Sequence, residues 1–163
     1  MNEKNTMKLF QDFPGLYREV RDAQHGFECG DGWYGLIHQL SESIEAQARK
    51  LGLDPYADEW PRALQVKEKF GTLRFYVATP SYEGERGLGF ESNGGMISVR
   101  PVAGIQSIRE LVSCAEAKSA ELCEQCGAPG ELVKNGGWWR TTCSACEAKG
   151  HDQGASNDCV SGF

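Results

Sequence analysis

The chain has 163 residues, of which 40% are apolar and 25% are charged, and its formal net charge is −6. This length suits one domain with its own hydrophobic core. The acidic balance argues against a uniformly basic nucleic-acid-binding surface, so nucleic-acid binding would need a local basic patch. No apolar run is long enough to cross a bilayer, and the first residues do not resemble a secretory signal. We therefore expect a cytoplasmic protein.

The N-terminal third of the chain predicts one long helix. Before it, the sequence is polar and indicates only a short helix around residues 15–23. From Trp33 to Leu51, apolar residues recur at the three- and four-residue spacing of an amphipathic helix. Asp31 precedes this stripe and is a suitable N-cap residue, and Gly52 predicts the end of the helix.

Residues 63–78 (ALQVKEKFGTLRFYVA) predict a β-hairpin that turns near Gly71. Alternation along the strands gives one largely apolar face, formed by Val66, Glu68, Phe70, Leu73, Phe75 and Val77. The opposite face carries the candidate nucleic-acid or partner-binding residues Lys67, Lys69, Arg74 and Tyr76. Three cations beside an aromatic ring could bind phosphate or stack a base. The alternative is a solvated outer face whose lysines discourage edge-to-edge strand pairing.

The middle of the chain is rich in glycine. Residues 79–95 predict a loop or a loose hairpin, which we expect to be the most mobile segment. They lack the Gly-Lys-Ser/Thr ending of a phosphate-binding P-loop. An apolar stripe between residues 102 and 122 then predicts a second helix that runs into a cysteine-rich segment.

Four of the seven cysteines form two Cys-x-x-Cys pairs, Cys123 with Cys126 and Cys143 with Cys146. In a reducing compartment, this spacing is typical of metal binding rather than of disulfides. Four thiolates suit tetrahedral Zn²⁺ and leave no position for a catalytic water. We therefore expect one structural Zn²⁺ per chain. A redox-active dithiol fits less well, because such pairs usually occur singly.

The residues around the two pairs predict a particular zinc finger. Gly127 allows a tight knuckle, Gly136-Gly137 indicates a hairpin turn, and the residues after Cys146 favour a helix. Knuckle, hairpin and helix in this order predict a treble clef. The adjacent Trp138 and Trp139 should point to opposite sides of the returning strand. We expect one to pack the finger against the body and the other to be an exposed anchor for a partner.

The remaining reactive side chains form no recognisable catalytic constellation. His38 lies at the edge of the first long helix's apolar stripe, and the carboxylates form no evident dyad. His25 and His151 lack a paired partner. Of the other cysteines, Cys29 and Cys114 are expected in the core and Cys159 in an exposed tail. We therefore expect no enzymatic activity. A nuclease or a nucleotide-modifying enzyme ranks behind two binding functions, of which one involves a protein partner and the other nucleic acid or a nucleotide.

Three blocks of the sequence resemble a family of small zinc-finger-containing proteins of tailed phages and prophages. They are FECGDGWYGLIHQLSESI (27–44), LQVKEKFGTLRFYV (64–77) and CEQCGAPGELVKNGGWWRTTC (123–143). The family shares a Cys-Gly-Asp-Gly-Trp helix start, a Val-Lys-Glu-Lys-Phe-Gly-x-Leu-Arg-Phe hairpin and a terminal Cys-x-x-Cys-Gly finger. Its members often have His where this chain has Cys146, and both residues bind zinc. The resemblance implies a phage context but no particular activity.

Together these observations predict an α+β fold. Two helices pack on a short antiparallel sheet in residues 1–120, a treble-clef-like finger follows in 121–150, and 151–163 form a mobile tail. The expected function is a non-enzymatic phage or prophage accessory protein that binds and inhibits a bacterial host protein or complex, such as a CRISPR-Cas component. Its basis is the phage resemblance, the acidic charge and the lack of a catalytic motif. The alternative is a zinc-finger protein that binds nucleic acid or a nucleotide through the basic hairpin face.

Overall fold

The computed structural model describes residues 1–22, 26–79, 86–93, 96–103, 105–135 and 137–152. Within these ranges the fold is mixed α+β, as predicted. The helices are α1 (Glu3–Asp12), α2 (Arg18–Asp22), α3 (Tyr34–Lys50), α4 (Gln106–Ser119) and α5 (Ser144–Asp152), with a 3₁₀ turn at Asp31–Trp33. The strands are β1 (Phe27–Glu28), β2 (Arg62–Lys69), β3 (Thr72–Ala78), β4 (Arg86–Asn93), β5 (Met96–Ala103), β6 (Glu131–Asn135) and β7 (Trp138–Thr142).

The central sheet has three strands in the order β1-β2-β3. Strands β2 and β3 form the predicted antiparallel hairpin, with Val66 opposite Phe75. Strand β1, however, pairs parallel to β2, with Phe27 opposite Val66. The prediction of a purely antiparallel sheet was therefore wrong, because a two-residue strand leaves no periodicity in the sequence.

The core lies between this sheet and the helices. Helix α4 packs against both α3 and β3. Fully or almost fully buried side chains include Leu9, Leu16, Trp33, Ile37, Ile44, Val66, Leu73 and Ile108. Burying each such side chain contributes about 1.5–3 kcal/mol. A polar contact fixes α4 on the sheet, since the buried Ser119 hydroxyl accepts the Leu73 N–H at 2.8 Å and donates to the Glu116 carbonyl at 2.6 Å.

The N-terminal segment is more ordered than its sequence predicts. Asn2 caps α1 by accepting the Asn5 N–H at 2.8 Å. Asp31 begins the 3₁₀ turn and is not the N-cap of α3. Its carboxylate instead accepts the Asn2 N–H at 2.7 Å and the Asn5 side-chain amide at 3.1 Å. Asp31 therefore joins the start of α1 to the approach to α3.

In the middle of the chain, the glycine-rich segment takes part in a strand pair, in keeping with its predicted hairpin alternative, and the start of one helix differs from the prediction. The glycine-rich segment 79–95 contributes β4, which pairs antiparallel with β5 as a two-stranded sheet. Residues 80–85 and 94–95 lie outside the described residues, as does most of the predicted tail 151–163. The second long helix begins at Gln106 rather than near 102, because β5 extends to Ala103.

The turn of the β2–β3 hairpin involves two residues, Phe70 and Gly71. Both have left-handed backbones, with φ of 55° and 78°. This conformation is that of a type I′ turn, which matches the twist of a hairpin. Phe70 is thus a turn residue with 63% of its surface exposed, not a member of the apolar face. Glu68, the polar residue of that face, accepts the Gly71 N–H and stabilises the turn.

Candidate metal centre and the adjoining groove

Local backbone hydrogen bonds shape the two cysteine pairs. In the first pair, the Gly127 N–H donates to the Cys123 carbonyl at 2.8 Å, and Gly127 has a φ of 74°. In the second, the N–H groups of Cys146 and Glu147 donate to the Cys143 carbonyl at 3.1 and 2.9 Å. The second pair is therefore continuous with the first turn of α5. The order knuckle, hairpin, helix is the one the sequence predicts.

The four sulfur atoms form one cluster. The Sγ atoms of Cys123, Cys126, Cys143 and Cys146 all lie within 4.8 Å of one another. Two thiolates on a tetrahedral Zn²⁺, each about 2.3 Å from the ion, would be about 3.8 Å apart. The Cys126 and Cys143 sulfurs are 3.7 Å apart, which is too far for a disulfide. The donor set and its spacing therefore fit a tetrahedral metal ion.

The pKa values of Cys123 and Cys146 depart from the ordinary thiol value in opposite directions, for different reasons. Burial acts to raise the pKa of Cys123, but backbone N–H groups of Cys143, Cys126 and Gln125 outweigh it and lower this pKa to about 6. The protonated Cys146 thiol donates to the sulfurs of Cys126 and Cys143, which favours the neutral form and raises the pKa of Cys146 to about 12. Four adjacent thiolates repel one another unless a cation lies between them. A divalent metal would supply that cation and release the remaining protons.

The first cysteine pair lies against the segment that leads into α3. The N–H groups of Gly30 and Gly32 donate to the side chain and the carbonyl of Glu124, at 2.8 and 2.7 Å. The Trp33 indole donates to the Leu122 carbonyl at 2.9 Å. A Cβ at either glycine would lie under 3.0 Å from the Glu124 or Cys123 carbonyl oxygen. The Gly-Asp-Gly-Trp segment, residues 30–33, is therefore the part of the fold against which the first cysteine pair packs.

The contact at Gly30 and Gly32 is one joint between the cysteine-rich finger and the rest of the fold. A second joint connects the finger hairpin, β6 and β7, to the β2–β3 turn. The Thr141 hydroxyl, in a side chain that is 1% exposed, donates to the Gly71 carbonyl at 2.6 Å. A Cβ at Gly71 would clash with Leu132 Cδ1. The three blocks 27–44, 64–77 and 123–143 thus meet at these two joints. The sequence analysis did not predict that these three blocks pack together. The glycines beside Asp31 and Phe70 were the available sign of a close backbone approach.

The two adjacent tryptophans are not one buried and one exposed, as the sequence predicts. Trp138 is 80% exposed and Trp139 is 41% exposed, so neither is buried between the finger and the body. Thr141 and Leu132 make the contacts with Gly71 instead. Trp138 is exposed, as expected for one of the pair, and its role as an anchor for a partner stays a prediction.

A groove of about 390 Å³ lies between the tip of the β2–β3 hairpin and the finger. Its lining residues are Glu68, Lys69, Phe70, Gly137, Trp138 and Trp139. Lysines lie over its aromatic rings, with the Lys69 ammonium 5.4 Å from the Phe70 centroid and the Lys134 ammonium 5.3 Å from the Trp139 centroid. This volume is in the range of small-molecule sites.

The basic face of the hairpin adjoins this groove through Lys69. The strand register pairs Lys67 with Arg74 and Gln65 with Tyr76, which places the four predicted side chains on one face. The Lys67 ammonium lies 5.5 Å from the Tyr76 centroid. Arg74 is partly engaged, because its Nη1 donates to the Thr72 hydroxyl at 2.7 Å and the Leu73 carbonyl at 2.8 Å. The role of this face in binding stays a prediction.

The other candidate side chains have separate environments. Cys29 is buried as predicted, and burial raises the pKa of its thiol to about 12. Cys114 is exposed, so its predicted place in the core was wrong, and the α4 stripe passes through Ile108 and Val112 instead. His38 lies 3.1 Å from Asp12 and edge-on to the Phe13 ring. Cys159 and His25 lie outside the described residues, as does the side chain of His151.

Comparison with protein-family models, curated proteins and solved structures gave no match. The resemblance to the phage family therefore stays a prediction. In the described part of the chain, the longest and most apolar helices fall short of what a bilayer span requires.

Proposed function

We propose that this chain is a non-enzymatic binding protein whose finger is a treble clef held by one structural Zn²⁺. The observation that carries this proposal is the cluster of four cysteine sulfurs within 4.8 Å of one another. Four protein ligands complete the coordination of zinc, so the ion has no open position for a substrate or a water. The joints at Gly32 and Gly71 give such an ion a structural task, since it holds the surface on which the body segments dock.

We further propose that the partner is a bacterial host protein or complex, such as part of a CRISPR-Cas immune system, and that the chain inhibits it by occupancy. The phage resemblance supports the host context. Trp138 supports protein binding, because large exposed aromatic side chains are frequent anchors of interfaces. The net charge of −6 would steer a basic partner towards the chain at low salt.

The experiment has a metal arm and a partner arm. Elemental analysis should give one zinc per chain, and the absence of zinc from protein purified without chelators would contradict the structural site. For the partner, the zinc-loaded chain is used to capture components of a bacterial lysate, with Trp138→Ala as the test variant. Tyr56→Ala is the matched control, because Tyr56 is 93% exposed and does not line the groove.

The inhibition mechanism is tested by titration against the captured component. Occupancy requires inhibition that saturates near one chain per target, and Trp138→Ala should weaken it while Tyr56→Ala should not. Full inhibition at a small fraction of the target concentration would reveal turnover and contradict the non-enzymatic assignment.

A second candidate function is binding of nucleic acid or a nucleotide. The specific observation in its favour is the cationic face of Lys67, Lys69 and Arg74, which lies beside the aromatic groove in an otherwise acidic chain. Association with an oligonucleotide that weakens steeply with salt would support it.

A further inference from the structure

The groove between the hairpin tip and the finger combines flat aromatic surfaces with positive charge. Phe70 is 63% exposed, Trp138 80% and Trp139 41%, which is unusual exposure for three large aromatic residues on one site. Lys69 and Lys134 hold their ammonium groups over two of these rings. Exposed apolar patches with a polar rim mark interaction sites, and the charged residues beside these rings are two lysines, Lys69 and Lys134, and one carboxylate, Glu68.

The groove also contains one carboxylate, Glu68, whose Oε1 accepts the Gly71 N–H within the hairpin turn. Its single negative charge is outnumbered by the ammonium groups of Lys69 and Lys134. The lysines at the groove make cation–π contacts, which leave ammonium hydrogens available to an anion. Lys67, two residues along the same strand face as Lys69, extends the positive track by about 7 Å.

Phe70 occupies a turn position that strains a bulky residue, and its ring is mostly exposed. The first position of a type I′ turn favours Asn, Asp or Gly, whereas a bulky residue with positive φ is strained. Phe70 adopts a φ of 55° and leaves most of its side chain in water. It therefore costs backbone strain without contributing a buried core contact, and such strain clusters at binding sites.

We propose that this groove binds single-stranded nucleic acid. The bases stack on Phe70, Trp138 and Trp139, and the phosphates pair with Lys67, Lys69 and Lys134. Unpaired bases offer flat faces to aromatic rings, and the backbone supplies regularly spaced negative charge. A duplex hides those faces, so the site discriminates against it. This inference deepens the second candidate function and rests on it.

The test uses the full zinc-loaded chain and a twelve-nucleotide oligothymidylate carrying a fluorescent label. Anisotropy at several salt concentrations gives the affinity and its salt dependence. Tryptophan emission gives a second readout, because Trp33 and Trp60 are at most 1% exposed while the other two of the four tryptophans line the groove. Binding should quench the emission of the exposed pair.

Three variants separate stacking, charge and folding. Trp138→Ala should weaken binding about 5- to 140-fold, the equivalent of about 1–3 kcal/mol per stacked base. Lys69→Gln should lower the slope of log affinity against log salt by about 0.7. Phe70→Asn should also weaken binding, but with an unchanged or raised melting temperature, because Asn suits the turn. Tyr56→Ala and Lys50→Gln are exposed controls away from the groove and should leave binding unchanged.

Several results would overturn the inference. The oligonucleotide could fail to bind at low salt, or a duplex of the same length could bind with equal affinity. The variants Trp138→Ala and Phe70→Asn could also leave the affinity unchanged. Capture of a host protein that depends on Trp138, without oligothymidylate binding, would assign the groove to a protein partner. That result would overturn the inference and leave the proposed protein-binding function intact.

Discussion

The backbone N–H of Gly32 donates to the carbonyl oxygen of Glu124 at 2.7 Å, across 92 positions of sequence. Glu124 lies within the first cysteine pair, and Gly32 lies one residue before Trp33. Together with the bonds of Gly30 to Glu124 and of Trp33 to Leu122, this contact places the cysteine cluster against the segment that leads into α3.

Gly32→Ala should destabilise the protein by about 3 kcal/mol or more, since its Cβ would lie under 3.0 Å from backbone atoms that cannot rotate away. Thermal unfolding of the zinc-loaded protein measures this. Gly35→Ala is the matched control, because nothing lies within 4 Å of its Cβ and alanine favours the helix by up to about 1 kcal/mol. Equal melting temperatures for the two variants would contradict the docking geometry.

Removal of zinc should unfold more than the finger. Structural zinc contributes about 10–16 kcal/mol in small finger peptides, comparable to the whole stability of a domain. Without the knuckle, Gly30, Gly32 and the Trp33 indole lose their partners. We expect a chelator to lower the melting temperature measured by helical circular dichroism, and added zinc to restore it. If the chelator left the melting temperature of the helical signal unchanged, the result would show that the body folds independently of zinc.

Thr141→Val should cost about 1–3 kcal/mol, because it removes a buried donor and leaves the Gly71 carbonyl without it. Thr141→Ser keeps the hydroxyl and should recover most of this loss. Chemical denaturation of the zinc-loaded forms gives both values. If the valine variant were as stable as the wild type, the second joint would contribute nothing to the fold.

Asp31 should titrate below the usual range of an aspartate. The Asn2 N–H is the main cause of its lowered pKa, and the Asn5 amide adds to it. A carboxylate whose pKa is lower in the folded state stabilises the fold above its unfolded pKa. That contribution is lost as the pH falls through the folded pKa. Carboxyl-carbon NMR measures the titration, and Asn5→Ala should move the pKa part of the way back, since the Asn2 bond remains. An ordinary pKa in both proteins would disprove the link.

The parts of the fold that follow a repeating pattern could be predicted from the sequence. The stripe from Trp33 to Leu51 matches α3, and alternation in residues 63–78 gave β2, β3 and the face of Lys67. The cysteine spacing indicated a cluster, because tetrahedral metal binding imposes its own geometry on the chain.

The missed features depend on contacts between distant segments. Strand β1 is two residues long and forms because Val66 offers a parallel partner. The need for glycine at Gly30 and Gly32 arises from carbonyls about 90 positions away. The groove combines Phe70 with Trp138 from another element. None of these relationships leaves a local pattern, so composition and periodicity could not reveal them.

The hydrogen bond between Gly30 and Glu124, which spans 94 positions, also constrains how the chain folds during synthesis. A ribosome must add the second half of the protein before the segment around Gly30 meets its partner. Contacts of such long range slow folding, because the loop must close before any of its interactions can form. The contacts of Gly30, Gly32 and Trp33 with residues 122–124 can therefore form only after the first cysteine pair has been synthesised. Zinc supply at that moment should determine the yield of folded protein.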